Sequence, residues 1–166
     1  MKKSFFARFL AAALIAVGAI TVSAAEPKTA EIADSRLEGA KTYYIENMIV
    51  GVNVGRKISG GEELSAEQTK AVRKESIEWL NEDLLPFLKK NGVLDEWVTM
   101  QYDKDIRELN EKIAKSESMD DFVKKAKEGT ALTKLRYPKS FAQYNTPACI
   151  MVMRKLQERI MRAMMK

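Results

Sequence analysis

The chain has 166 residues, with 28 Lys and Arg, 23 Asp and Glu, a formal charge of +5, one Cys and no His. A chain without histidine cannot form a Ser-His-Asp triad, a His-ligated haem or a His-based zinc site. A single cysteine allows neither an internal disulfide nor a multi-thiolate metal cage. The composition therefore excludes most familiar catalytic and metal-dependent classes, and we expect no cofactor.

The first 25 residues have the features of a bacterial secretory signal. Three basic residues precede an apolar run of 14 at residues 9–22, and small residues end the segment at Ala24 and Ala25. The alternative is an uncleaved membrane anchor, but a run of this length spans only about 21 Å of the roughly 30 Å hydrocarbon core. We predict cleavage after Ala24 or Ala25 and a periplasmic or secreted protein.

Removal of the leader, residues 1–25, lowers the net charge of the remaining chain. The 141 residues 26–166 carry 25 basic and 23 acidic side chains, a net charge of +2. A chain of this length matches one ordinary domain and can bury a core without disulfides or metals. No apolar segment in it approaches 18 residues, so we expect no transmembrane segment in the mature chain.

Apolar residues at intervals of three and four predict a first helix over about residues 29–58, ended by Gly60 and Gly61. Residues 49–55 are rich in β-branched side chains and glycine, which locally favours a strand. A lone strand would need a partner, and no second segment of this kind exists. We therefore expect a helix there and keep the strand as the alternative.

The second helix begins at a capping box, in which Ser65 is followed three residues later by Gln68. It ends at Asn91 and Gly92. Pro86 lies inside it and removes a backbone donor, so it should kink the helix or start a separate last turn.

A third helix is predicted over residues 94–113, where apolar residues follow steps of four and three. A fourth should begin near Ser118, with a break at Gly129 and Thr130. Thr146 as the cap and Pro147 at the first helical position open a last helix that reaches the C-terminus. The pattern predicts an all-α fold, a single domain over residues 26–166 built as an antiparallel bundle of four to five helices.

The last helix places Cys149 at the centre of its apolar face, which predicts a buried and unreactive thiol. The helix also carries three closely spaced methionines, Met161, Met164 and Met165. Thioethers suit Cu(I), so these residues are a candidate soft-metal site. Core packing and an adaptable apolar binding surface are the alternatives for the same residues.

The opposite face of this helix is basic, and Arg154, Arg159 and Arg162 are candidate partner-binding residues. Residues 118–166 carry 11 basic and four acidic groups, whereas residues 26–117 carry 14 basic and 19 acidic groups. This split predicts either charge complementarity between the helices or a positive surface that meets an anionic partner.

Three aromatic residues, Tyr137, Phe141 and Tyr144, lie in the segment before the last helix, which is predicted as a loop or short helical turn. Binding residues are often found in loops, so these side chains are further candidates for partner binding. Anchoring of the loop to the bundle is the alternative.

The features together favour binding over catalysis. We expect an exported helical interaction protein of the cell envelope, chaperone-like or an adaptor, whose partner is another envelope protein or an anionic envelope component. A small envelope enzyme with carboxylate acid and base groups is one alternative, and a methionine copper binder is another. Nucleic acid is not an expected partner, since the chain has no recognised nucleic-acid motif.

Overall fold

Every regular element in the part of the chain that the structure describes is helical. In the computed structural model this part comprises residues 30–165, with side chains from Asp34 onward. The elements in chain order are α1 (Ala30–Ile58), α2 (Ala66–Trp79), a π-helical turn (Leu80–Leu84), α3 (Leu85–Lys90), α4 (Leu94–Tyr102), α5 (Lys104–Ala114), α6 (Met119–Arg136), α7 (Pro138–Tyr144) and α8 (Pro147–Met164). The all-α prediction is confirmed, and residues 49–55 are helical within α1.

The predicted leader, residues 1–25, lies outside the described residues. Within the described part, none of the helices combines the length and the apolar character that crossing a bilayer requires.

Local sequence signals determine where α1 ends and where α2 begins. Gly60 closes the turn after α1 with a φ of +76°, in the left-handed region that favours glycine. The Ser65 hydroxyl then accepts a hydrogen bond from the Gln68 backbone at 3.1 Å, and the Gln68 side chain accepts one from the Ser65 backbone at 3.2 Å. Gly92, with a φ of +66°, ends the second helical segment in the same way. These predicted boundaries are confirmed.

Pro86 is accommodated by a local widening of the helix rather than by a loop. The backbone N–H of Leu85 donates to the carbonyl of Leu80, five residues earlier, so the helix passes through a π turn just before the proline. Proline lacks the N–H that a regular helix would use. The chain therefore stays helical from Ala66 to Lys90, with α3 as the last turns after the π turn.

The prediction of one helix over residues 94–113 is wrong, because the helix is interrupted at Asp103. This residue adopts an extended ψ of 118°, and its carboxylate accepts hydrogen bonds from the backbone of Asp105 at 2.9 Å and Ile106 at 3.3 Å. It therefore ends α4 and caps α5. The apolar spacing hides this break, since both helices contribute buried residues to the main cluster.

The predicted break at Gly129 and Thr130 is also wrong. Helix α6 runs through both residues, and the Thr130 hydroxyl donates to the Ala126 carbonyl one turn earlier at 2.9 Å. Gly129 is buried, so tertiary packing outweighs its low helix propensity.

The main core lies around a group of three aromatic rings. Trp79 of α2 is fully buried, and its ring stacks on Tyr44 of α1 with centroids 6.3 Å apart. Tyr44 also meets Trp97 of α4 edge-on at 5.4 Å. The Trp79 indole N–H donates to the Val152 carbonyl of α8 at 2.8 Å. Four helices thus meet at one point.

A smaller cluster between α1, α5 and α6 contains Val54, Ile113, Phe122 and Ala126.

The Trp79 hydrogen bond can be tested against a matched tryptophan. Trp97 is equally buried, but among the described residues its indole forms no hydrogen bond. Trp79→Phe should therefore destabilise the fold by about 1 kcal/mol more than Trp97→Phe, because only the first change removes a hydrogen bond as well as ring contacts. Urea unfolding followed by circular dichroism at 222 nm measures both. Equal losses would contradict a stabilising role for this bond.

Candidate functional site

The side of α8 that faces the core carries buried packing residues. The Thr146 hydroxyl caps the helix by accepting a hydrogen bond from the Cys149 backbone at 3.2 Å, and Pro147 occupies the first turn, as predicted. Cys149 is 2% exposed within the main core, where burial raises the pKa of its thiol. A thiol with a raised pKa and no access to solvent is a packing group rather than a nucleophile.

One flank of α8 is neutralised by the acidic side of α2 and the π turn. Lys155 forms an ion pair with Asp83 at 2.6 Å. The Arg159 guanidinium lies near four carboxylates, those of Glu82 at 2.6 Å, Glu78 at 3.7 Å, Asp83 at 3.7 Å and Glu75 at 4.0 Å. The hydrogen bond to Glu82 raises the pKa of Arg159, against the opposing effect of partial desolvation. At this flank, the charge split seen in the sequence corresponds to ion pairs between α8 and the acidic side of α2 and the π turn.

The outer side of α8 combines exposed apolar side chains with charges. Large hydrophobic residues are exposed at Ile150, Met151, Met161 and Met165, and the charged residues between them are Arg154, Glu158 and Arg162. At 100° per residue, these seven positions fall within about 120° of the helix circumference. We call them the outer face of α8. Arg154 pairs with Glu158 of the same helix at 3.3 Å.

The three methionines of the candidate copper site do not share one environment. Met161 and Met165 are exposed on the outer face, whereas Met164 packs against the main core. The Met164 sulfur accepts a contact from the Arg56 guanidinium at 3.9 Å, and a cation at this sulfur disfavours a second one. Among the described residues, no group of three or more His, Cys, Asp or Glu could hold a metal ion. The thioether copper site stays a prediction.

Tyr137 belongs to a polar cluster around the Asp103 cap. Its hydroxyl donates to Asp103 Oδ2 at 2.7 Å, and Arg136 Nη1 lies 2.9 Å from both oxygens of the same carboxylate. Arg136 also pairs with Asp105. Partial burial alone would raise the pKa of Asp103, but the hydrogen bonds from Tyr137 and Arg136 outweigh it and hold this pKa below its usual range. The cluster ties the end of α6 to the junction between α4 and α5.

Phe141 and Tyr144 lie in α7, a short helix in the segment predicted as a loop or short helical turn. Their rings meet edge-on, with centroids 6.4 Å apart. Tyr144 also packs against the main core, where burial raises the pKa of its hydroxyl. These contacts favour the anchoring role that the sequence left open.

The structure does not bring the six predicted partner-binding residues into one site. Arg154 and Arg162 are exposed on the outer face of α8, whereas the other four form contacts inside the fold. Ile150 and Met151 were missed as site residues. A helical wheel of α8 could have identified them, since both are apolar and lie outside the apolar face centred on Cys149, about 100° and 160° around the helix from it.

Comparison with known proteins identifies no relative. No protein-family model, no curated protein and no solved structure matches this chain significantly.

The Asp103 cluster predicts a pH-dependent contribution to stability. A carboxyl whose pKa is lowered by folding stabilises the protein above the pKa of the unfolded chain, and this stabilisation is lost as the pH falls through the folded value. Asp103→Asn should therefore lower the unfolding free energy by about 2 kcal/mol at pH 7 and by much less at pH 2. Urea titrations at both pH values measure the difference. Asp34→Asn, exposed and outside the cluster, is the control, and an equal loss at both pH values would contradict the assignment.

Two arginines of α8, Arg159 and Arg162, provide a matched pair of variants that tests how much the ion-pair network stabilises the fold. Arg159→Ala leaves four carboxylates without their shared cation and should cost about 1 kcal/mol of stability, less at high salt. Arg162→Ala should change stability by under about 0.5 kcal/mol, because this exposed side chain has no ion pair within the described residues. Thermal unfolding at 50 mM and 1 M NaCl separates them, and similar losses for both variants would show that the network contributes little.

Proposed function

We propose that the protein is an exported binding protein of the bacterial cell envelope that docks a partner protein on the outer face of α8. The signal-peptide pattern of residues 1–25 supports export. The proposal includes one helical-bundle domain over residues 26–166.

One observation carries the docking proposal. Of the large hydrophobic side chains exposed in the described part of the chain, three lie on α8 and Met165 directly follows it, and the others are Ile77, Val123 and Leu135. Met151 is 65% exposed and Met165 is 79% exposed. A run of such residues on one helix face is typical of an interaction surface, and flexible thioethers can adapt to a partner's side chains.

The charges of the outer face indicate the chemistry of the partner. Lys155 and Arg159 are used inside the fold, whereas Arg162 has no ion pair in the described residues, and the face carries one acidic group, Glu158. An amphipathic helix with apolar and acidic residues would complement both the methionines and the arginines. We therefore infer that the occupant is an acidic amphipathic segment of a second envelope protein.

The carboxylate-enzyme alternative receives less support. The carboxylates of α2 and the π turn meet at the Arg159 guanidinium, and those of Asp103 and Asp105 meet at Arg136. Charges satisfied in this way form ion-pair networks rather than an acid and base pair.

Site-specific crosslinking in bacteria that export the full chain tests the proposal. A photoreactive amino acid at Met151 should crosslink one partner protein, and the same probe at Leu135, which is 78% exposed on α6, should not. The crosslinked protein should carry an N-terminus produced by cleavage after Ala24 or Ala25. A synthetic peptide of the partner's acidic segment should then bind the purified protein, at least about tenfold more weakly after Met151→Ser or Arg162→Ala. Leu135→Ser should leave its affinity unchanged.

Several results would overturn the proposal. Equal crosslinking from both positions would show non-specific contact. Crosslinks only between copies of this chain would identify self-association, and crosslinks only to lipid would identify a membrane surface. An uncleaved protein in the cytoplasmic fraction would refute export.

A further inference from the structure

A cavity lies between α1 and the segment that joins α5 to α6, and none of its lining residues belongs to α8. Its volume is about 480 Å³, and Val50, Val54 and Ala114 form its apolar part. Cavities that hold small organic ligands typically have volumes of about 300–1,000 Å³. The space is therefore adequate for a small molecule with an apolar body.

Charges of both signs surround this cavity. Two lysines, Lys57 and Lys115, and two glutamates, Glu63 and Glu117, line it. Although opposite charges lie around one opening, none of the four takes part in an ion pair within residues 34–165. These four side chains can thus bind a ligand that carries both charges.

Two neutral polar groups complete the lining. Ser116 lines the cavity but is only 4% exposed, and its hydroxyl, which helps to lower the pKa of the nearby Asp121 carboxyl, is closed off from the space. Asn53 accepts a hydrogen bond from the Leu64 backbone at 2.9 Å, which leaves its amide N–H groups available. An amide donor at the lining can bond to a polar atom of a ligand, so Asn53 can contribute to its affinity.

We propose that this cavity binds a small zwitterion with an apolar body, the chemical class of short peptides. The lysines receive the carboxylate of the ligand, and the glutamates receive its ammonium group. The Asn53 amide binds a polar atom between these ends, and the apolar part of the cavity contacts the ligand side chain. This site is independent of the surface proposed on α8.

Calorimetric titration of the mature chain with the dipeptide alanyl-leucine tests the proposal. The dipeptide should bind, and its N-acetylated and C-amidated derivatives should each bind at least about tenfold more weakly, because each lacks one charge. Lys57→Gln should weaken the free dipeptide several-fold but leave the C-amide unchanged. Glu117→Gln should weaken binding of the free dipeptide several-fold but leave binding of the N-acetyl derivative unchanged. Lys112→Gln, an exposed change on α5 away from the lining, is the matched control.

A variant that fills the cavity separates binding from folding. Ala114→Leu adds apolar volume to the lining, so dipeptide affinity should drop about tenfold or more, and thermal unfolding shows whether the variant stays folded. Unchanged affinity in a folded Ala114→Leu would overturn the proposal. So would the absence of dipeptide binding at millimolar concentration, or binding of putrescine or inorganic phosphate alone, which would identify a cation or anion site.

Discussion

The hydrogen bond from the Trp79 indole to the Val152 carbonyl is the contact on which the arrangement of the other helices depends. It joins α2 to α8 at a fixed point along both helices, since an indole N–H has one direction in which it can donate. The same ring stacks on Tyr44, which in turn contacts Trp97. A shift of α8 along α2 would break the hydrogen bond and separate buried aromatic surfaces, which together contribute several kcal/mol.

The position of α8 along α2 decides what each side of the helix does. With Val152 fixed, Leu156 and Ile160 enter the main core, and both are fully buried. The next side of the helix then lies beside α2 and the π turn, where Lys155 and Arg159 meet carboxylates. The remaining side is the outer face, where Ile150, Met151 and Met165 are more than half exposed. Its methionines are exposed because α8 carries more apolar residues than one face can bury.

The sequence predicts the parts of this fold that depend on near neighbours. The capping box at Ser65, the cap at Thr146 and the burial of Cys149 all follow from spacings of a few residues, and all are confirmed. The break at Asp103 does not follow from spacing, because its carboxylate is held by Arg136 and Tyr137, 33 and 34 residues later. An interaction between such distant residues exists only once the helices have packed.

The candidate surfaces were only partly predictable for the same reason. The sequence identifies Arg154, Arg159 and Arg162 as equivalent basic residues, and only the position of α2 distinguishes the arginine that is used internally from those that remain exposed. The lining of the cavity combines residues from α1 with residues around Ser116, which lie about 60 positions apart in the chain. No local pattern could have joined them.

The absence of histidine gives both proposed surfaces a common property. Histidine is the side chain whose ordinary pKa lies within the range from pH 5 to 8, and this chain has none. Cys149 does not replace it, because burial raises its pKa further from neutrality. Recognition by lysine, arginine and carboxylate groups then relies on charges that are ordinarily constant across this range. A binding protein built in this way would keep its affinity while the pH of its surroundings changes, which suits a compartment that is open to the medium.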